Sequence, residues 1–97
     1  MTPVKRIEIV LPDVLLRDVL ALLKQHGAGG WTVTRGLSGR GDRGMQSGDG
    51  GVGEVGNASV LVACPPDTAT PLLEALRPLL ARHGGMCLVS DAQWLKH

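Results

Sequence analysis

Residues 36–56, GLSGRGDRGMQSGDGGVGEVG, hold nine of the fourteen glycines in a chain of 97 residues, with Arg40 and Arg43 set among them. A connection of this length inside a small domain argues either against the assignment of its neighbours or for a loop with a function of its own. The neighbours decide between these. Clean apolar patterns stand on both sides, so the stretch reads as a ligand-responsive loop joining two strands of one sheet.

Immediately upstream, Trp31-Thr32-Val33-Thr34-Arg35 is a run of β-branched and aromatic residues entered through Gly29 and Gly30, the composition of a short strand. Before it, Leu16, Val19, Leu20 and Leu23 recur at helical spacing while Arg17, Lys24 and Gln25 face away. Asp13 is placed to cap that helix and Gly27 to close it in the left-handed conformation. The chain opens with Val4–Leu11, where Ile7, Ile9 and Leu11 alternate with Arg6 and Glu8, the period of a half-buried strand that Pro12 ends.

Downstream, residues 58–64 (ASVLVAC) are almost wholly apolar, as expected of a strand at the centre of a sheet. Pro65 and Pro66 stop it. Asp67 is a candidate cap for a second helix with Leu72, Leu73, Leu76, Leu79 and Leu80 as its buried stripe, and Pro71 in its first turns. Pro78 conflicts with that helix, because an interior proline removes a backbone bond and costs about 3 kcal/mol; a kink or early break is expected there. Gly84 and Gly85 then lead into Met86–Ser90, a fourth strand, and residues 91–97 are expected to form a helical turn that lays Trp94 and Leu95 on a neighbour.

The order strand, helix, strand, loop, strand, helix, strand is the split βαβ arrangement of an α+β, ferredoxin-like βαββαβ sandwich. In it a four-stranded antiparallel sheet is covered on one face by two helices. One domain spans residues 1–97, with a flexible loop at 36–56. The second sheet face needs a cover, and Val10, Val60 and Val62 are candidates to point that way, so a partner subunit is expected. Central first and third strands would separate Cys64 from Cys87 and leave two buried, reduced thiols.

Composition narrows the function classes. Two aromatic residues and a net charge of +1 are poor equipment for stacking bases or neutralising many phosphates, so nucleic acid is not the expected ligand. No apolar run is long enough to span a bilayer, and Lys5, Arg6, Glu8 and Asp13 break up the N-terminus, so a cytoplasmic location is expected. His26 and His83 each precede a glycine at a helix end, and no pair of histidines or cysteines has metal-ligand spacing. Asp42, Asp49 and Glu54 are separated by glycines, and Ser38 and Ser47 lie in the loop without a local base, so neither acid/base nor nucleophilic catalysis is indicated. Gly39-Arg40-Gly41-Asp42-Arg43, by contrast, combines successive amide donors with planar guanidinium groups, which suits an anion; a solvated loop with incidental charges is the plainer reading.

Four stretches together carry a family resemblance: VKRIEIVLP (residues 4–12), Gly30-Trp31-Thr32-Val33-Thr34, Gly39-Arg40-Gly41-Asp42-Arg43, and the ending DAQWLKH (91–97). They resemble the PII signalling-protein superfamily, and within it the PII-like proteins associated with bicarbonate transporters and carboxysomes. The third stretch is similar to the GKGSR-type start of that group's T-loop, and the fourth to its short tail. The resemblance implies a non-enzymatic homotrimer with helices outside, an adenine nucleotide in each cleft between subunits, and a T-loop whose conformation depends on the nucleotide and controls a partner in inorganic carbon uptake or the carboxysome. By position, Thr32 would lie beside the adenine, Gly39, Arg40, Gly41 and Arg43 would meet the phosphates, and Gly84 and Gly85 would close the cleft.

Departures from the pattern refine these expectations. The glycine- and lysine-rich phosphate loop of conventional PII proteins is reduced here to His83-Gly84-Gly85, which favours ADP or AMP over ATP and speaks against 2-oxoglutarate sensing; cyclic AMP is a further candidate. The absence of tyrosine precludes the uridylylation found in some members. The tail lacks a second cysteine pair, so the redox-sensing extension of some relatives is missing. Bicarbonate as a second ligand is implied by the subgroup alone. Two alternatives remain: a CutA-like trimeric metal-binding or scaffold protein, and an acylphosphatase-like enzyme with an arginine and Asn57 near an anion.

Overall fold

The structure, a computed structural model, describes residues 1–41, 44–46 and 56–97, with the backbone alone for 39–41 and 44–46. Its elements run β1 (Thr2–Pro12), a 3-10 turn (Asp13–Leu15), α1 (Leu16–Gln25), β2 (Trp31–Leu37), β3 (Gly39–Gly41), β4 (Gly44–Gln46), β5 (Asn57–Cys64), α2 (Pro66–His83) and β6 (Met86–Trp94). Four strands form one antiparallel sheet in the order β2-β5-β1-β6, and β3 and β4 form a separate two-stranded antiparallel sheet. With α1 and α2 on one face, this is the ferredoxin-like α+β sandwich.

Register fixes the two faces. Leu11, Ile9 and Ile7 stand opposite Ala58, Val60 and Val62, and all six are buried against Leu16, Val19 and Leu23 of α1 and Ala69, Leu72 and Leu76 of α2. Val60 and Val62 therefore belong to the core and do not point to the open face. An all-apolar strand hides its own parity, and only pairing with β1 reveals which side its even residues take. Val10, opposite Ser59 and Met86, is on the open face as expected. There it joins Leu61, Met86, Leu88 and Trp94, which remain 39%, 45%, 51% and 50% exposed.

Helix ends differ from the expectations in instructive ways. Pro12 caps the first turn without a side-chain bond, and α1 starts only at Leu16; Asp13 is no cap. Pro65 precedes α2, Pro66 takes its first position and Asp67 lies inside the first turn. A proline at that position has its φ already set and no amide to leave unsatisfied. Thr68 and Ala69 both donate to Pro65 O at 3.0 Å. At the far end of α1, Gly27 has φ of 79° and the Gly27 and Ala28 amides reach back to Lys24 O and Leu23 O, as a left-handed closure requires.

α2 continues unbroken through Pro78 to His83, against the expected break. Leu76 just before the proline is buried, and Leu79 and Leu80 just after it pack against the core; at about 1.5–3 kcal/mol per buried leucine these contacts outweigh one missing bond. The tail differs more. Residues 91–94 are not a helical turn but the second half of β6, paired with β1 as far as Trp94 opposite Thr2. The free edge of a central strand offers a continuous ladder, and Asp91 gains an ion pair with Lys5 across it. Trp94 and Leu95 stay exposed.

Cys64 on β5 and Cys87 on β6 flank β1, opposite Lys5 and Ile9 respectively. Both are free thiols, Cys64 buried and Cys87 half-buried.

Candidate functional site

The glycine-rich stretch begins inside the sheet. β2 runs to Leu37, two residues into residues 36–56, with Gly36 at φ of 75° and a register shift between Arg35 and Leu37. Such a bulge turns the strand and re-aims the residues beyond it. Two residues later the chain enters β3, which pairs with β4: Gly39 opposite Gln46, Arg40 opposite Met45 and Gly41 opposite Gly44. Within the stretch expected to be a flexible loop, residues 39–41 and 44–46 are therefore paired as strands. Composition concealed this pairing because glycine is a poor strand former.

Both stems of the stretch are tied to the sheet end where β1 finishes. On the return side, the Asp13 amide donates to Gly56 O at 2.8 Å. On the exit side, Asn57 Nδ2 donates to Leu37 O at 3.4 Å. Asn57 is the buried polar side chain among the described residues, 6% exposed, and its register partners are Pro12 and Leu37. Beside it, Asp13 Oδ1 is buried and has no hydrogen-bond partner among the described residues.

Thr32 is exposed on the open face of β2, opposite Leu61. The row continues through Glu8 to Leu88, setting the Thr32 hydroxyl beside Leu61 with a carboxylate beyond it, and Arg6 Nη2 lies 3.8 Å from Glu8 Oε1 one row away. Gly84 and Gly85 form the whole connection from α2 to β6 and have φ of 84° and 121°. The Gly84 amide donates to Leu80 O at 2.8 Å, and a Cβ on Gly85 would lie 2.7 Å from Val10 O. This turn packs flat on β1.

Gly39, Arg40 and Gly41 thus lie on β3, just past the bulge, and Gly84 and Gly85 lie at the same end of the sheet, near the β6 edge. Thr32 is the second residue of β2, and Arg43 lies outside the described residues. Strands about 4.8 Å apart separate the β2 and β6 edges by roughly 14 Å within one chain. Asn57 and Asp13 were the residues that sequence reasoning did not assign to the loop. A polar residue opening an otherwise apolar strand was the available signal for Asn57.

Elsewhere the chemistry is sparse. Burial pushes the Cys64 and Cys87 thiols above their ordinary value, away from nucleophilic readiness. No group of three or more metal-binding side chains gathers among the described residues, and no described helix is long and apolar enough to cross a membrane. A depression lined by Asp13, Arg17, Lys24 and Arg35 lies on the helix side of β2, on the face away from Thr32.

Comparison with known proteins places this geometry. The family model of nitrogen regulatory protein P-II matches residues 4–97. No curated protein matches significantly in sequence. Among solved structures, CPII of Thiomonas intermedia K12, a nitrogen regulatory PII-like protein bound to ADP, AMP and bicarbonate, superposes with a TM-score of 0.84 at 29% identity, covering 98% of this chain and 96% of that one. The same protein bound to ADP and bicarbonate gives 0.83 at 32% identity, covering 95% and 88%. Its apo form gives 0.79 at 27% identity, covering 95% and 91%. The chain belongs to the nitrogen regulatory protein P-II family and, within it, to the PII-like proteins.

Proposed function

We propose that this protein is a homotrimeric signalling protein, not an enzyme, that binds an adenine nucleotide in the cleft between neighbouring subunits. The observation that carries the reading is the near full-length similarity to CPII, whose structures hold ADP, AMP and bicarbonate. Thr32, exposed beside Leu61, contacts the adenine. Gly39, Arg40, Gly41 and Arg43 bind the phosphates through amides and guanidinium groups. Gly84 and Gly85 close the cleft from the adjacent turn.

ADP and AMP are the favoured ligands over ATP and cyclic AMP. The two-residue Gly84-Gly85 connection contributes no lysine for a third phosphate, so the glycine-rich stretch carries the phosphate charge alone. Bicarbonate is the second ligand. Residues 36–56 act as the T-loop: a nucleotide with different affinities for two loop states selects one of them, and that state engages or releases a partner. The partner is a bicarbonate transporter or a carboxysome-related protein in the cytoplasm. The open sheet face, with its exposed leucines, is where the three copies meet.

Isothermal calorimetry with AMP, ADP, ATP and cyclic AMP, each with and without bicarbonate, tests the reading. Binding of ADP or AMP at one per chain, tightened by bicarbonate, supports it. Absence of binding at millimolar nucleotide overturns it.

A further inference from the structure

We infer that Asn57 is a positioning residue that sets the path of the phosphate-binding segment, so that nucleotide phosphates depend on it while the base does not. The inference rests on the nucleotide reading above.

A buried amide is an expensive choice at this position. By register Asn57 shares the parity of Ser59, Leu61 and Ala63, on the face away from the helices, yet it is only 6% exposed, and a buried amide is tolerated only where it is bonded. Asn57 finds its bond at the one irregular point of the ladder. The register shift between Arg35 and Leu37 interrupts the regular exchange of backbone bonds between β2 and β5, and the Asn57 amide takes up Leu37 O there. Gly36 supplies the bend, and with φ of 75° it has many other conformations open to it. Glycine bends the strand, and the amide selects one direction for it.

Position then converts this bond into a binding property. Leu37 is the last residue of β2, and β3 with Arg40 starts two residues later. Asn57 comes directly after Gly56, whose carbonyl is fixed by the Asp13 amide. Adjacent residues therefore hold the exit and the return of the glycine-rich stretch. Fixing both ends before ligand arrives removes part of the ordering cost that binding would otherwise incur. Thr32 stands five residues before Leu37 on the paired part of β2, so its contact does not pass through the bulge.

The test compares the parent with Asn57→Ala and Asn57→Asp, the second keeping the shape but removing the donor. Calorimetry measures ADP and adenosine, and amide hydrogen exchange without ligand monitors residues 38–41 against Val60 and Val62. The expected result is a loss of about tenfold in ADP affinity, the equivalent of one hydrogen bond. Adenosine affinity should stay within about twofold, and exchange should quicken at 38–41 with Val60 and Val62 protected as before. Unchanged ADP affinity in both variants overturns the inference. Equal losses for ADP and adenosine, or unfolding of both variants, also overturn it, because Asn57 is then merely structural. A parent that binds no ADP overturns the nucleotide reading, and quickened exchange at 38–41 would still separate that failure from failure of the positioning role.

Discussion

At the scale of single residues, two glycines separate steric need from composition. Gly85 has φ of +121° and a Cβ there would lie 2.7 Å from the Val10 carbonyl oxygen, whereas Gly29 has nothing within 4 Å of the same position. Gly85→Ala should therefore lose about 1–3 kcal/mol of stability, and Gly29→Ala should stay within about 0.5 kcal/mol of the parent, both read from urea denaturation midpoints. Equal stabilities would refute the close packing of the Gly84-Gly85 turn on β1. The thiols make a pH-dependent case. Burial raises both Cys64 and Cys87, so the folded chain holds these protons more tightly than the unfolded one. Their contribution to stability is complete below the unfolded thiol value of about 8.5 and is lost as pH rises through the higher folded values. The parent should accordingly lose more stability between about pH 8 and pH 10 than a Cys64→Ala/Cys87→Ala variant does. Parallel profiles would show that the thiols do not contribute.

At the scale of elements, α2 holds a testable conflict between propensity and packing. Pro78→Ala restores a missing backbone bond in a helix that is already continuous and should stabilise the chain by about 1–3 kcal/mol, measured by the same denaturation. A loss of stability would mean that the surrounding leucines are packed to the proline's own geometry. Where the elements were legible in the sequence, one residue pattern sufficed: Ile7, Ile9 and Leu11 gave β1 its face, and Leu16, Val19 and Leu23 gave α1 its stripe. Legibility failed where a neighbour decides the outcome. β6 extends to Trp94 because β1 offers it a free edge, and β3 forms because β4 stands opposite; neither partner can be read from the local residues. Thr32 was a candidate only through the family resemblance, and Asn57 only as an anion neighbour in the acylphosphatase-like alternative; its bond at the bulge was not legible, because the bulge lies on the far side of the glycine-rich stretch. Removing residues 91–97 tests the longer β6, because four of its nine paired positions with β1 lie at 91–94. A marked fall in the denaturation midpoint is expected, and an unchanged midpoint would mean that this half of the ladder adds nothing.

At the scale of the whole molecule, the two faces of the sheet divide stability from assembly. The helix side is complete within one chain, since Ile7, Ile9, Val60, Val62 and the helical leucines bury each other. The opposite side is left with Leu61, Met86 and Leu88 exposed in two neighbouring rows around Glu8 and with Trp94 exposed three rows further along β6, exposed apolar side chains of the kind that mark an interface. In the proposed trimer this surface meets its copies, and each nucleotide cleft exists only between them. Leu88→Asp should therefore act on assembly and binding together: a carboxylate placed there must either be desolvated without a partner or keep the subunits apart. Sedimentation should fall from three chains to one, and ADP binding should be lost with it. Arg43→Ala should show the contrasting behaviour, retaining the three-chain mass while ADP affinity falls about tenfold or more, because in the proposed cleft Arg43 supplies a charged phosphate contact. If Leu88→Asp still sediments as three chains, the open face is not the subunit interface. If it sediments as one chain but binds ADP as the parent does, the cleft belongs to a single subunit and the placement of Thr32 at a subunit boundary is wrong.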